Sequence, residues 1–442
     1  MVPISTNNIH RLKSSTRLSS VVPATVTGDK VHELSNMDLA VKLHYIKGIY
    51  FFNSDAVGGL TIYELKKPMF QLLQLYFHAA GRIRTSETGR PFITCNDSGV
   101  RIIEARFDET VDEWLAMAVE DDSAFDGLAY SQALGEPDLG FSPLIFLQFT
   151  WFKCGGMSVG LSWAHVLGDV FSASTFINLW GKIMASPMPH KSLHIPDSAV
   201  SELALSVLPK QTPKALKRVD PVGDLWLTPS NCKMKTHTFH IPADKFNHFL
   251  SDQIYKFSAF EVLSAVIWKS MSKINEDPEE TKMVTLCTNK SHNREFQFPR
   301  NGMVWSTVEA DFSVAEADIF ELVKVILNKK IDENDIIREM MGNNSYDSEE
   351  LSSDFIAYGA NLTFVNLEEA QIYELELNRK KPVYAHYAVG GVGDKGVVLV
   401  LPGPNSGKKG VGVAGDRTVT VVLPENQLAQ LKVDLKRNWS II

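Results

Sequence analysis

The chain has 442 residues, of which 44% are hydrophobic and 22% are charged, a composition typical of folded globular proteins rather than disordered or fibrous ones. Its formal net charge of -8 is spread without long blocks of like charge, which argues against a nucleic-acid partner. The length predicts two or three domains, and every apolar run is shorter than the roughly 20 residues that span a bilayer, so we expect no transmembrane segment.

The first half of the chain is predicted to mix strands and helices. Residues 63–84 form a predicted helix because apolar side chains recur there at spacings of three and four. Two short strands are expected within residues 90–107, separated by turn-forming residues. A hairpin is predicted around Gly155-Gly156, where two apolar runs meet. From residue 170 the apolar pattern becomes helical again.

The second half begins after a segment without sustained periodicity. Residues 191–224 are rich in proline, serine and lysine, so we expect a linker between an N-terminal domain, residues 1–190, and a C-terminal domain, residues 225–442. An amphipathic helix is predicted over residues 257–274, with a capping-box pattern that begins at Ser258. The last part of the chain is strand-rich. These elements together predict an α/β or mixed α+β class.

A polar pair, His165 and Asp169, lies where a predicted strand ends and a helix begins. With 12 histidines in the chain, about one or two His-xxx-Asp/Glu matches are expected by chance, and a second match is His240 with Asp244. In one interpretation of the first pair, Asp169 caps the helix and His165 is a hydrogen-bonded core residue. In the other, His165 is a general base that takes a proton from a hydroxyl or amine attacking a thioester, and Asp169 supports the turn and the ring orientation.

Two glycine-rich segments resemble nucleotide-binding motifs, but the residues in and around them do not fit those motifs. Residues 391–396 match GxGxxG, but a predicted strand follows them instead of the helix that a dinucleotide fold needs. Residues 403–410 resemble a phosphate-binding loop, yet the glycine spacing is one residue short and Lys409 stands where a magnesium-binding Ser or Thr belongs. The four cysteines are scattered and form no CxxC pair, so the sequence predicts neither a zinc site nor a disulfide framework, which fits a reducing cytosol. We also expect no metal and no bound cofactor.

Several segments together resemble the plant BAHD acyl-CoA-dependent acyltransferases. The segments LSNMD, AAGRIR, CNDSG, FSPLIFLQFTWFKCGG, HVLGD and FSAFEVLSAVIWKS occur in that family's order, nearly end to end. Longer phrases, including GLSWAHVLGDVFSAS and YGANLTFVNLEEAQIYELELN, are similar to its Eceriferum and Glossy-type branch. The resemblance implies two chloramphenicol-acetyltransferase-like domains, with mixed sheets flanked by helices and a channel at the domain interface. It also implies that His165 is the general base, that Asp169 is structural, and that a coenzyme A thioester is a possible substrate.

The chain departs from the family's motifs at three places. Val170 follows the aspartate where the family usually has glycine. The second signature of the family, DFGWG, is replaced at residues 376–380 by ELNRK, which removes two glycines and a tryptophan from a tight turn. Lys290 lies in a strand turn where the family often has an arginine that pairs with the aspartate of HxxxD. Lysine cannot reproduce the bidentate contact of an arginine.

The branch resemblance implies a role in cuticular wax formation. The expected function is to promote elongation of very-long-chain fatty acyl-CoA together with a membrane-bound ketoacyl-CoA synthase, at the cytosolic face of the endoplasmic reticulum or in the cytoplasm, rather than by the protein's own acyl transfer. The alternative is an active acyl-CoA-dependent O- or N-acyltransferase that uses His165 as general base. An acyl-CoA-binding module without a partner is a third possibility.

Overall fold

The computed structural model describes residues 16–120, 122–186, 212–243, 257–275, 277, 279–289, 298–343, 353–404 and 415–441. Within them the strands are β1 (Arg17–Val21), β2 (Val31–Glu33), β3 (Tyr45–Phe52), β4 (Arg82–Thr85), β5 (Pro91–Thr94), β6 (Val100–Arg106), β7 (Ile145–Trp151), β8 (Met157–Ala164), β9 (Lys217–Val219), β10 (Met234–Ile241), β11 (Met283–Asn289), β12 (Met303–Glu309), β13 (Ile331–Asp332), β14 (Asp354–Ile356), β15 (Leu362–Asn366), β16 (Tyr384–Gly390), β17 (Val397–Pro402) and β18 (Arg417–Pro424). The helices described are α1 (Asn36–Ala40), α2 (Ser54–Val57), α3 (Ile62–Leu75), α4 (Val111–Glu120), α5 (Val170–Ala185), α6 (Ala259–Ile274), α7 (Ile319–Asn328), α8 (Asn334–Asn343) and α9 (Glu425–Trp439).

Two mixed sheets organise this part of the chain. The first has the strand order β1-β6-β7-β8-β3-β16, with β6 and β7 parallel and the other neighbours antiparallel. The second has the order β10-β18-β17-β15-β11-β12-β13, and β15 runs parallel to both β11 and β17. Helices α3 and α5 pack together beside the first sheet, and α6, α7 and α9 pack beside the second. The expected class, mixed sheets flanked by helices, is confirmed.

Strand β16 joins the two halves of the chain. It belongs to the second half in sequence but pairs with β3 of the first sheet, from Tyr384 opposite Phe51 to Gly390 opposite Tyr45. The first sheet is therefore completed by a strand from the range 225–442, and a boundary drawn by residue number does not separate the two sheets fully. Of the expected linker, residues 191–211 lie outside the described part, and Lys217–Val219 forms β9, which pairs with β14.

Strand β17, inside the second sheet, is buried on both faces. Along β17, Val397, Leu399 and Leu401 belong to a core shared with the first sheet. The alternate residues Val398 and Val400 belong to a second core under α6, α7 and α9. Because successive side chains of a strand point to opposite faces, a strand covered on both sides needs an unbroken apolar run. The segment VVLVL meets this requirement.

The helices begin where the sequence predicts, but one of them ends earlier. α6 starts after the capping box of Ser258 and Glu261, as expected. α3 ends at Leu75, and the predicted length to residue 84 is wrong because a 3-10 turn and β4 follow it. Gly81 lets the chain approach β5 closely at the start of β4, since a Cβ there would lie 2.5 Å from the Ile93 side chain. Within the described residues, no helix combines the length and hydropathy needed to cross a membrane.

Candidate functional site

The hairpin of β7 and β8 carries His165 into the interior. β8 pairs with β7 on one side and with β3 on the other, and all of its residues are buried. At its end the Ala164 N–H donates to the Leu144 carbonyl at 2.9 Å, and the His165 N–H donates to the His44 carbonyl at 3.1 Å. His165 then opens a single 3-10 turn and has 1% of its surface exposed. The strand end thus holds the imidazole at a fixed place between the two halves.

Asp169 caps α5 and also binds the distant segment 300–302. Its Oδ1 accepts the Ser172 N–H at 3.1 Å, the usual N-cap bond, and its Oδ2 accepts the Gly302 N–H at 3.0 Å. Its own N–H donates to the Arg300 carbonyl at 3.2 Å. The carboxylate is buried, and both of its oxygens serve main-chain donors. This geometry lets Asp169 support the turn while the carboxylate binds groups other than the histidine ring.

Gly168, between the pair, has no room for a side chain. Its φ is +140°, in the region that favours glycine, and a Cβ there would lie 2.8 Å from the Ser172 Cβ and 2.9 Å from the Arg300 nitrogen. The Trp163 indole N–H donates to the Gly168 carbonyl at 2.9 Å. The close approach of segment 300–302 therefore depends on this glycine.

The ring of His165 meets a tyrosine that sequence reasoning did not single out. Nε2 of His165 lies 3.0 Å from the hydroxyl of Tyr358, and both residues are 1% exposed. Nε2 of His44 accepts the N–H groups of Ala357 and Tyr358 at 3.1 and 3.3 Å. The ring of Trp305 packs against the tyrosine with centroids 4.9 Å apart. Tyr358 is therefore held in place by contacts to its main chain, its ring and its hydroxyl.

Burial keeps both partners of this contact neutral. Loss of water lowers the pKa of His165, although the charge of Asp169 acts weakly in the opposite direction. Burial likewise raises the pKa of Tyr358 well above its usual range. Burial and the nearby His165 lower the pKa of His44 to about 3. A neutral hydrogen bond between a phenol and an imidazole therefore occupies Nε2.

Asn301 links the histidine to the N-terminal helix α1. Its side-chain amide donates to the His165 carbonyl at 2.8 Å and to the Asp38 carboxylate at 2.7 Å. Asp38 also accepts the N–H of Ser35 in the capping box of α1. Burial raises the pKa of Asp38. Segment 300–302 thus contacts three parts of the first half, and none of its residues was predicted as a site residue.

A cavity of about 380 Å³ opens where β3 and β16 approach β10 and β18. Its polar lining includes Lys47, Asp126 and His386. His386 stacks on Phe125 with centroids 4.1 Å apart, and its Nδ1 lies 3.3 Å from the Thr238 hydroxyl. Burial and the neighbouring Lys47 lower the pKa of His386 to about 3. The lining residues of this cavity do not include His165, so it is a separate space at the junction of the sheets.

The segment that replaces DFGWG keeps a tight turn without glycine. Leu377 and Lys380 exchange two main-chain hydrogen bonds of 3.0 and 2.9 Å, and the two residues between them have positive φ, 48° at Asn378 and 62° at Arg379. This is the pattern of a type I′ turn. The Asn378 side chain donates to the Gly58 carbonyl at 3.3 Å. The ELNRK segment therefore forms a tight turn without glycine.

Other predicted residues lie apart from His165 or outside the described part. His240 is half-exposed on β10, 3.8 Å from the Asp416 carboxylate, and its sequence partner Asp244 lies outside the described residues. Lys290 and residues 405–414 also lie outside them. Residues 391–396 are followed by β17, which confirms the expected strand after the GxGxxG match.

Comparisons with known proteins agree with this architecture. The Transferase family model matches residues 14–437. The protein ECERIFERUM 2 of Arabidopsis thaliana is 41% identical over 439 residues, covering 96% of this chain and 97% of that protein. The crystal structure of vinorine synthase has a TM-score of 0.68 at 18% identity, covering 95% of this chain and 98% of that one. TRI101 of F. sporotrichioides, solved with coenzyme A and T-2, has a TM-score of 0.63 at 15% identity, covering 93% and 98%.

At these low identities the two solved structures show the fold alone, whereas the matched model and the close relative show the family. The BAHD-type motifs occur in order, and the histidine and aspartate of HxxxD lie at the junction of strand and helix. The chain belongs to the Transferase family of BAHD acyltransferases, in its Eceriferum-type branch.

Proposed function

We propose that this protein promotes the elongation of very-long-chain fatty acyl-CoA for cuticular wax, acting with a membrane-bound ketoacyl-CoA synthase rather than by its own acyl transfer. It works at the cytosolic face of the endoplasmic reticulum, where the condensing enzyme holds the growing chain. The likeness to ECERIFERUM 2 over nearly the whole chain supports this assignment. The ligand is a coenzyme A thioester, in keeping with the TRI101 structure solved with coenzyme A.

The observation that carries the proposal is the contact between Nε2 of His165 and the hydroxyl of Tyr358, at 3.0 Å. A general base must come within hydrogen-bond reach of the proton that it removes. One ring nitrogen, Nε2, is already bonded to a buried side chain, and the other, Nδ1, is buried without a hydrogen-bond partner among the described residues. A protein that works by acyl transfer to an external alcohol or amine needs a ring nitrogen that the acceptor can reach, whereas an accessory protein does not.

A yeast strain that expresses the ketoacyl-CoA synthase tests the proposal. We expect that co-expression of the wild-type protein lengthens the very-long-chain products, and that His165→Ala lengthens them equally, as measured by gas chromatography of the fatty acid esters. His240→Ala is the matched control, because this half-exposed histidine belongs to the other His-xxx-Asp match. Loss of elongation in His165→Ala, with normal accumulation of the protein and a normal His240→Ala, contradicts the accessory function.

The alternative function is acyl transfer with His165 as general base. The position of His165 at the end of β8, beside the cap formed by Asp169, favours it because both motif residues are retained in a well-formed turn. Purified protein is incubated with acyl-CoA and long-chain alcohols or amines, and free coenzyme A is measured. Turnover that disappears in His165→Ala favours this alternative, whereas the accessory function predicts no turnover above background.

A further inference from the structure

The hydroxyl of Tyr358 lies where a general base would meet its substrate. The separation between Oη and Nε2 of His165, 3.0 Å, falls inside the range of about 2.6–3.2 Å over which a base removes a proton. An external alcohol that gives its proton to Nε2 would need its oxygen within the same distance of this nitrogen. Two oxygens cannot both take this place, so the side chain and an acceptor exclude each other.

The tyrosine is not free to swing away from this position. The N–H groups of residues 357 and 358 both donate to His44, which fixes the backbone. The rings of His44 and Trp305 pack against the phenol with centroids 5.0 and 4.9 Å away. Since both side chains of the hydrogen bond are almost completely buried, breaking it would leave a polar group without a partner in the core.

We propose that Tyr358 is a built-in occupant of the acceptor position, whose phenol fills the space and makes the hydrogen bond that an alcohol or phenol acceptor would otherwise make with His165. Residue 358 thereby decides whether the histidine meets an external hydroxyl. Tyr358 acts through its contact with His165, which makes it a positioning residue. The inference rests on the same contact as the proposed function and deepens it, because it names the residue that keeps an acceptor away from His165.

Removal of the tyrosine side chain leaves a space with a defined shape and one polar end. In Tyr358→Gly the missing atoms are those of p-cresol, and buried cavities left by large-to-small substitutions can bind the matching small molecule. The hydroxyl of p-cresol would meet Nε2 of His165, whereas toluene, of nearly the same shape, offers no such group. The net value of one buried hydrogen bond corresponds to about a tenfold difference in affinity between the two.

Binding of p-cresol and toluene to purified Tyr358→Gly tests the proposal, by calorimetry and by the shift of the thermal unfolding midpoint. We expect both ligands to stabilise Tyr358→Gly but not the wild type, with p-cresol binding about tenfold more tightly. In Tyr358→Gly/His165→Ala this preference should disappear. Equal affinity of Tyr358→Gly for the two ligands, or a preference that persists without His165, overturns the proposal. Elongation in the yeast strain is a separate readout, so failure of one proposal is distinguishable from failure of the other.

If Tyr358→Gly does not fold, Tyr358→Phe tests the same contact. It retains the ring and removes only the hydroxyl, so the 15N resonance of His165 Nε2 should shift as the hydrogen bond is lost. Tyr387→Phe is the matched control, because the buried Tyr387 hydroxyl pairs with that of Tyr50. An unchanged His165 resonance in Tyr358→Phe, or an equal change in Tyr387→Phe, shows that Tyr358 does not engage the imidazole.

Discussion

At the scale of single residues, the carboxylate of Asp169 joins two parts of the chain that are far apart in sequence. One oxygen accepts the Ser172 N–H at the start of α5, and the other accepts the Gly302 N–H at 3.0 Å. A helix cap alone contributes about 1 kcal/mol to stability. The second bond adds to this, because without it the buried Gly302 N–H would have no acceptor, at a cost of about 1–3 kcal/mol. Asp169 therefore stabilises the packing of the two halves beside His165.

Asp169→Ala is predicted to lower the free energy of unfolding by about 2–4 kcal/mol, because it removes the cap and leaves the Gly302 N–H unpaired. Asp318→Ala is the control, since Asp318 is an exposed N-cap whose Oδ1 accepts only within its own helix, from the Phe320 N–H at 2.8 Å. It should cost about 1 kcal/mol. Urea unfolding measures both variants, and equal losses would mean that the bond to Gly302 contributes nothing.

Sequence patterns identify some of these residues and not others. The change from a strand pattern to a helical one places His165 and Asp169 at a junction, because that change is local. Tyr358 lies 193 residues from His165, and nothing local marks it, since a tyrosine after a short strand is ordinary. His44 and Asn301 are similar cases. Their roles arise from packing between distant segments, which periodicity does not reveal.

At the scale of elements, the turn at residues 376–380 shows how a tight turn forms without glycine. Because the family's two glycines are absent, the sequence predicts backbone strain in this turn, since only glycine adopts positive φ without cost. The structure keeps the turn with Asn378 and Arg379 in left-handed conformations. Asparagine tolerates this region, but a left-handed arginine costs about 1–2 kcal/mol. The buried Leu377 and Leu375 hold the turn in place despite this strain.

Arg379→Gly is predicted to raise the free energy of unfolding by about 1 kcal/mol. It creates the Asn-Gly pair that type I′ turns prefer, and the relief of strain exceeds the extra entropy of glycine in the unfolded chain. Arg379→Ala separates the backbone effect from the loss of charge, because alanine keeps the Cβ that strains the turn. Thermal unfolding compares the two. A gain in Arg379→Ala equal to that in Arg379→Gly would assign the effect to charge instead.

At the scale of the whole molecule, the site exists only when both halves fold together. Strand β16 completes the first sheet, segment 300–302 binds the turn after His165, and Tyr358 meets its ring. The sequence predicts the class of each half, since strands and amphipathic helices are local patterns. It does not predict the crossing of β16, because strand pairing over hundreds of residues depends on the packed sheets. Tyr358 and Asn301, which contact His165, both come from the second half of the chain.

Buried neutral histidines make the protein less stable as the pH falls. Burial lowers the pKa of His44 and of His386 to about 3 each, below the 6.5 of an unfolded histidine, and it lowers the pKa of His165 as well. Their stabilising contribution is complete above pH 6.5 and is lost as the pH falls from there toward the folded-state pKa, because only the unfolded chain takes up protons in that window. Between pH 7 and pH 5 His44 and His386 each lower the stability by about 2 kcal/mol.

His386→Gln isolates one of these contributions, because all other groups titrate alike in the variant and in the wild type. The difference in urea-unfolding free energy between pH 7 and pH 5 should be smaller in His386→Gln by about 2 kcal/mol. If His386→Gln instead loses as much stability as the wild type, His386 is already protonated in the folded protein at pH 5. The hydrogen bond with Thr238 and the stacking on Phe125 would then hold an imidazolium beside Lys47, against the cost of burying two like charges.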